Sequence, residues 1–182
     1  IGATHIEVPA HEYGHDLEAM AAAIRPDTKI VFLANPNNPT GSFLPRAELA
    51  RLHAALPSDV VLVIDQANAE YVAPQDDDGG FDLAARHGNV LVMRTFSKAY
   101  GMAGARIGYA LGERGVIEAF DKVRNHYGIN RAGQLGAPVV VHRDDGLAGP
   151  PGGEELCFGL EVLVHAAVQV EVVLGVVADG DE

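Results

Sequence analysis

Four short apolar runs constrain the fold of this chain more than any other feature: residues 29–34 (KIVFLA), 60–64 (VVLVI), 90–93 (VLVM) and 107–111 (IGYAL). The first three are nearly continuous in apolar residues instead of alternating, as strands covered on both faces read. Helical patterns separate them. Residues 17–24 (LEAMAAAI) are rich in helix formers. Pro45 can open a helix at its first turn, and residues 47–56 continue it with Leu49, Leu52 and Leu56 on one side. Residues 81–86 predict a short helix, and residues 115–125 set Val116, Ile117, Phe120 and Val123 at helical spacing. Strands alternating with helices imply an α/β fold, a mostly parallel sheet with flanking helices. Residues 74–80 (PQDDDGG) read as a solvated loop, and Asp76–Asp78 as a solvated turn that lacks the rest of a calcium-binding loop.

The length, 182 residues, suffices for one domain with a core. A net charge of −12 argues against nucleic acid or an anionic membrane as the main partner. Residues 160–178 are the best candidate for a membrane span, but Glu161, His165, Gln169 and Glu171 are each costly in lipid. No charged segment precedes an apolar stretch at the start, so no signal peptide is expected. The single cysteine, Cys157, excludes an internal disulfide and reads as an inert thiol, which fits a reducing, cytoplasmic setting. The eight histidines are scattered, without Cys or acids at ligand spacing, so no metal site is expected.

In an open parallel sheet, ligands bind beyond the carboxyl ends of the strands. The first run is followed by residues 35–41 (NPNNPTG), the second by Asp65, and the third by Thr95, Phe96, Ser97 and Lys98. Alone, each has an ordinary reading: a turn, a cap, a surface charge. Together they offer amides, a carboxylate, hydroxyls and an amine at one edge of one sheet.

These three motifs, the last continuing as TFSKAYGMAGARIGY over residues 95–109, resemble the fold-type I aminotransferases that use pyridoxal 5'-phosphate (PLP). Within that group, residues 123–137 (VRNHYGINRAGQLGA) make the chain most similar to the histidinol-phosphate aminotransferases. The resemblance implies a role for each residue. Lys98 matches the lysine that holds the cofactor as a Schiff base and then acts as a base. Asp65 matches the carboxylate that keeps the pyridine nitrogen protonated. Asn38 matches an amide donor to the ring's 3-oxygen. Thr95, Ser97 and Arg106 match the phosphate grip, the last as a charge-assisted fork. Gly101, Gly104 and Gly108 flank the lysine and arginine where backbone passes close to the cofactor. The family also implies a homodimer, a small-molecule amino donor and a 2-oxo acid.

The sequence departs from the family pattern in three ways. Asn68 stands where a tyrosine usually lies three residues after the aspartate, with Tyr71 on a different part of the turn, so weaker cofactor hold is expected. Residues 1–137 are expected to be a partial PLP-binding large domain, without the upstream phosphate-binding turn. Residues 138–182 form an acidic Val- and Gly-rich tail, with nine acids against one base, Arg143, and no lysine. Two readings of that tail stand side by side: a frame-shifted or otherwise non-native segment, and an appended one whose residues 160–164 and 168–172 form strands. The expected function is PLP-dependent transamination of histidinol phosphate with 2-oxoglutarate. The alternatives are a related aminotransferase or decarboxylase with another amino-acid substrate, and an inactive fragment or interaction module.

Overall fold

The computed structural model describes residues 2–123 and 128–136, and the backbone of 173–176. Among the described residues six strands form one sheet: β1 (Thr4–Glu7), β2 (Thr28–Ala34), β3 (Val61–Asp65), β4 (Val90–Thr95), β5 (Gly108–Gly112) and β6 (Val173–Val176). Their order is β1-β6-β2-β3-β4-β5. β2, β3 and β4 pair in parallel, while β5 and β6 run antiparallel to every neighbour, so β1 to β4 all point one way. The α/β reading therefore holds, with a parallel centre and an antiparallel strand on either side of it. β1 gives no signal in the sequence because it is short, polar and mostly exposed. β6 comes from the tail. The expected strands over 160–164 and 168–172, and Cys157, lie outside the described residues.

Helices α1 (Leu17–Ala22), α2 (Arg46–Ala55), α3 (Gly80–Arg86) and α4 (Arg114–Val123) flank the sheet, and residues 131–136 are also helical. Asp16 caps α1, its Oδ1 accepting from Ala19 N at 2.9 Å. α1 stops two residues short of its expected end; Pro26 disfavours helical geometry in the residue before it. α2 buries Leu49 and Leu52, as their spacing predicts.

Strand alternation divides the core between the two faces. Val31, Leu33, Leu62, Ile64, Val90 and Val92 point to the face covered by α1, α2 and α3, where Leu17, Met20, Leu49 and Leu52 meet them. Val63, Leu91 and Ala110 point the other way, with Val116, Ile117 and Phe120 of α4 against them. Strands buried on both sides explain the unbroken apolar runs.

The loop after the aspartate corrects the sequence reading. Pro74–Asp76 forms a 3-10 turn, and the next residues enter the protein. Asp78 is only 5% exposed, so it is no solvated turn residue. Three successive aspartates look alike in composition, but Asp77 faces the Arg46 guanidinium outside while Asp78 turns inward.

His15 ties the segment before α1 to the sheet, its Nε2 donating to Ala34 O at 2.7 Å. Burial lowers the His15 pKa below its ordinary 6.5, against the opposing pull of that hydrogen bond. The unfolded chain therefore takes up a proton first as pH falls. Stability is complete above the unfolded value and is lost as pH falls from there through the lower native one. Thermal melts at pH values on either side of this window should show a drop in Tm toward acid. His15→Gln, which keeps a donor for Ala34 O, should show a smaller drop. An equal drop in both proteins would assign the effect elsewhere, with His87 the next candidate because burial, His53 and Arg86 lower its pKa too.

Candidate active site

The parallel centre of the sheet brings three strand ends level. Ala34, Asp65 and Met93 lie side by side in register, Asn35 N donates to Asp65 O at 2.9 Å, and Gln66 N donates to Met93 O at 2.8 Å. The loops that leave these ends line one rim.

The first loop is held at both ends by a single side chain. Asn35 is fully buried, and its Nδ2 donates to Leu44 O (2.9 Å) while its Oδ1 accepts from Leu44 N (2.8 Å). Inside the loop Gly41 N donates to Asn37 O and Asn37 N to Ser42 O. Gly41 has φ +72°, a conformation that costs other residues. The Asn35–Pro36 and Asn38–Pro39 peptides are cis.

The loop carrying Lys98 is anchored by aromatic packing. Phe96, 1% exposed, packs with Ile107, Tyr100 and Tyr109, with ring centroids 5.3 and 5.5 Å from those of the two tyrosines. Phe96 N donates to Ile107 O (3.1 Å) and Met102 N to Phe96 O (3.0 Å), which closes the loop into a ring over the pair. Asn130 Nδ2 reaches Ala105 O at 2.7 Å from beyond α4. At Gly108 a Cβ would stand 2.6 Å from Arg94 O, so close approach of β4 and β5 demands glycine there.

A cavity of about 570 Å³, within the range that takes a small cofactor, opens between these loops. Asn38 lines it from the first loop, Asn68 and Tyr71 from the turn after β3, and Lys98 from the third. Three of the expected residues, Asn38, Asn68 and Lys98, are thus brought together. The other four lie at the same rim but do not line this cavity. Asp65 Oδ1 accepts from Ala67 N at 2.9 Å, and its second oxygen makes no hydrogen bond among the described residues. Thr95 Oγ1 donates to Ile107 O (3.3 Å) and accepts from Ser97 N (3.1 Å). Arg106 sits at φ +54°, and its Nη1 donates to Ala103 O at 3.0 Å.

Tyr71 corrects a sequence expectation. Asn68 precedes the 3-10 turn Ala69–Tyr71, and in that geometry residues three apart eclipse one another. Tyr71 lines the same cavity as Asn68. Only the conformation of the turn carries this information; spacing on an α-helix or a strand separates the two residues differently.

Lys98, Asn38, Asn68 and Tyr71 around one cavity, with Asp65 at its rim, are residue types suited to a phosphorylated pyridine aldehyde. Among the described residues no group of three His, Cys, Asp or Glu side chains converges as a metal site, and no helix is long and apolar enough to cross a membrane.

The chain belongs to the class I and II aminotransferase family, whose sequence model matches residues 1–147. It is 58% identical over 140 residues to a histidinol-phosphate aminotransferase of Erythrobacter litoralis, a match covering 77% of this chain and 38% of that protein. The corresponding protein of Sphingopyxis alaskensis is 45% identical over 145 residues, covering 80% of this chain and 39% of its own length. Among solved structures, histidinol-phosphate aminotransferase from Sinorhizobium meliloti in complex with pyridoxal-5'-phosphate superposes with a TM-score of 0.70 at 42% identity, over 78% of this chain and 38% of that one. The chain thus spans about two fifths of the length of the curated relatives it matches.

Proposed function

We propose that this chain carries the PLP-binding part of an aminotransferase that moves an amino group between histidinol phosphate and 2-oxoglutarate. The observation that carries this reading is the meeting of Lys98, Asn38 and Asn68 in one cavity at the carboxyl edge of β2, β3 and β4. The names of the relatives support the substrate. Bound PLP would supply an aldehyde that an amine captures and a pyridine ring that draws electrons from the carbon beside it.

The chain's own residues take the remaining roles. Lys98 Nζ would hold the cofactor and, as a free amine, would accept and return a proton. The Asp65 carboxylate keeps the ring nitrogen protonated, using the oxygen that Ala67 leaves unengaged. Asn38 donates to the ring oxygen. Asn68, shorter than a tyrosine, shares that duty with Tyr71. Thr95, Ser97 and Arg106, at the rim, would hold the phosphate, the guanidinium by charge-assisted hydrogen bonding. Residues 1–137 carry the part of the large domain that binds the cofactor, and the acidic segment 138–182 lends β6 to its sheet between β1 and β2. The reaction belongs in the cytoplasm, in a homodimer.

Titration of the purified chain with PLP tests the proposal. A saturable absorbance band at the edge of the visible range is expected, and its absence at saturating PLP would overturn the cofactor reading. Tyr71→Phe should weaken PLP hold about fivefold, the loss expected from one neutral hydrogen bond of ~1 kcal/mol. Unchanged affinity would return the whole duty to Asn38 and Asn68. Reading the coding DNA past codon 137 decides the origin of the tail: a family-like continuation in another frame means a frame shift, and none means an appended segment.

A further inference from the structure

A layer of buried polar side chains lies behind the candidate site, and each of its strand-end members is the sequence neighbour of a residue already described. Asn35 opens the first loop, Gln66 follows Asp65, and Arg94 precedes Thr95. Alternation along a strand sends such neighbours to opposite faces. Asn35, Gln66 and Arg94 accordingly cap the α1–α3 face of the core, and Arg94 stands over the Phe81 ring of α3, 4.5 Å from its centroid.

Asp78 joins them. Its Oδ1 accepts from Gln66 Nε2 (2.6 Å) and Gly80 N (2.8 Å), and its Oδ2 from Gln66 Nε2 (2.7 Å) and Asn35 Nδ2 (2.9 Å). Both amides are locked in orientation by their other partners. Asn35 Oδ1 is taken by Leu44 N, and Gln66 Oε1 accepts from Arg94 Nε at 2.9 Å. Arg94 Nη1 continues to Glu70 Oε1 at 3.2 Å, in the turn between Asn68 and Tyr71. One carboxylate thus connects the base of the Asn38 loop to the segment that follows Asp65. A second cavity, about 160 Å³, is lined by Asn35, Gln66, Asp78 and Arg94 and shares the walls Pro36, Phe43, Val72 and Ala73 with the cavity of Lys98.

We infer that Asp78 is a positioning residue: its carboxylate sets the Asn38 loop and the turn after Asp65 in fixed relation, and so sets the shape of the cofactor cavity. The inference rests on the cofactor reading for its purpose, but the device itself is a property of the chain alone. Its chemistry is determinate. Both amides present donors to Asp78, so an amide in its place would set a donor against a donor in a buried layer. Charge-assisted hydrogen bonds to a fully satisfied carboxylate are also stronger than neutral ones.

The test compares the wild-type chain with Asp78→Asn and with Gly80→Ala. At Gly80 a Cβ would lie 2.5 Å from Gln66 Nε2, which displaces that amide without removing any polar group. Amide hydrogen exchange without added PLP should speed up about tenfold at Leu44 and Ala67 in both variants, while Leu52 within α2 stays protected. With PLP, both variants should bind about tenfold more weakly, and the pH at which the absorbance band changes should move. Unaltered exchange in the two loops, or loss of protection spread equally into α2, would overturn the inference. So would unchanged PLP affinity and an unchanged pH profile in variants whose loops have loosened. If the wild-type chain takes up no PLP while the loops still respond, the positioning device stands and the cofactor reading falls. Should Asp78→Asn fail to fold, Gly80→Ala alone decides.

Discussion

Lys98→Ala is expected to abolish the visible absorbance that PLP gives with this chain, with little change in stability. The side chain is exposed at the cavity, and the local backbone is held by groups the substitution leaves in place. Gly101 N still donates to Lys98 O at 2.9 Å, and the ring of contacts around Phe96 is untouched. Exposed substitutions of this kind usually change stability by no more than about 0.5 kcal/mol. The covalent link, by contrast, would be lost altogether, because among the described residues no other amine lines the cavity. The sequence has only two further lysines, Lys29 and Lys122. Lys29 pairs with Asp59 at 3.7 Å, and Lys122 lies in the last turn of α4; neither lines the cavity. Lys29→Ala and Lys122→Ala should therefore keep the band. A band that survives Lys98→Ala and disappears in either control would assign PLP to nonspecific surface chemistry and sink the proposed site.

Phe96→Ala carries the second large effect, and it couples fold to site. The ring is buried between Ile107, Tyr100 and Tyr109, and it is the only buried aromatic beneath the loop that carries both Lys98 and Arg106 among the described residues. Removing it leaves a cavity that flanking residues fill only in part, at a cost of about 3–5 kcal/mol. That is a large share of the ~5–15 kcal/mol typical of a whole domain. Denaturant unfolding should show a lower midpoint. If the chain remains folded in buffer, PLP hold should also fall, because Phe96 N and O close the loop onto Ile107 and Met102. A midpoint within experimental scatter of wild type would show that the aromatic cluster does not anchor the loop.

Much of this architecture is legible in the amino-acid sequence. The apolar runs place β2 to β5 to within two residues, because strands sandwiched between helices leave no polar alternation to blur them. The strand-end logic brings Asn38 and Lys98 to one rim, since parallel neighbours in register must end together. Boundaries are less legible. Pro26 shortens α1, and β1 is too short and polar to stand out. Asp65 lies at the expected strand end, but one of its oxygens is spent on its own turn, which a motif does not reveal.

The sequence by itself determined the alternation of strand and helix, the family, and which residue types stand at each strand end. Those features depend on period and local order, which survive in one dimension. Only the tertiary structure decided that Tyr71 shares a cavity with Asn38 and Lys98, and that one of three consecutive aspartates is buried. Asp78 meets Asn35 across 43 residues of chain, and Arg94 meets Gln66 across 28. Contacts at such separations are set by how the sheet stacks its loops, and a run of acids carries no mark of which one the fold will turn inward.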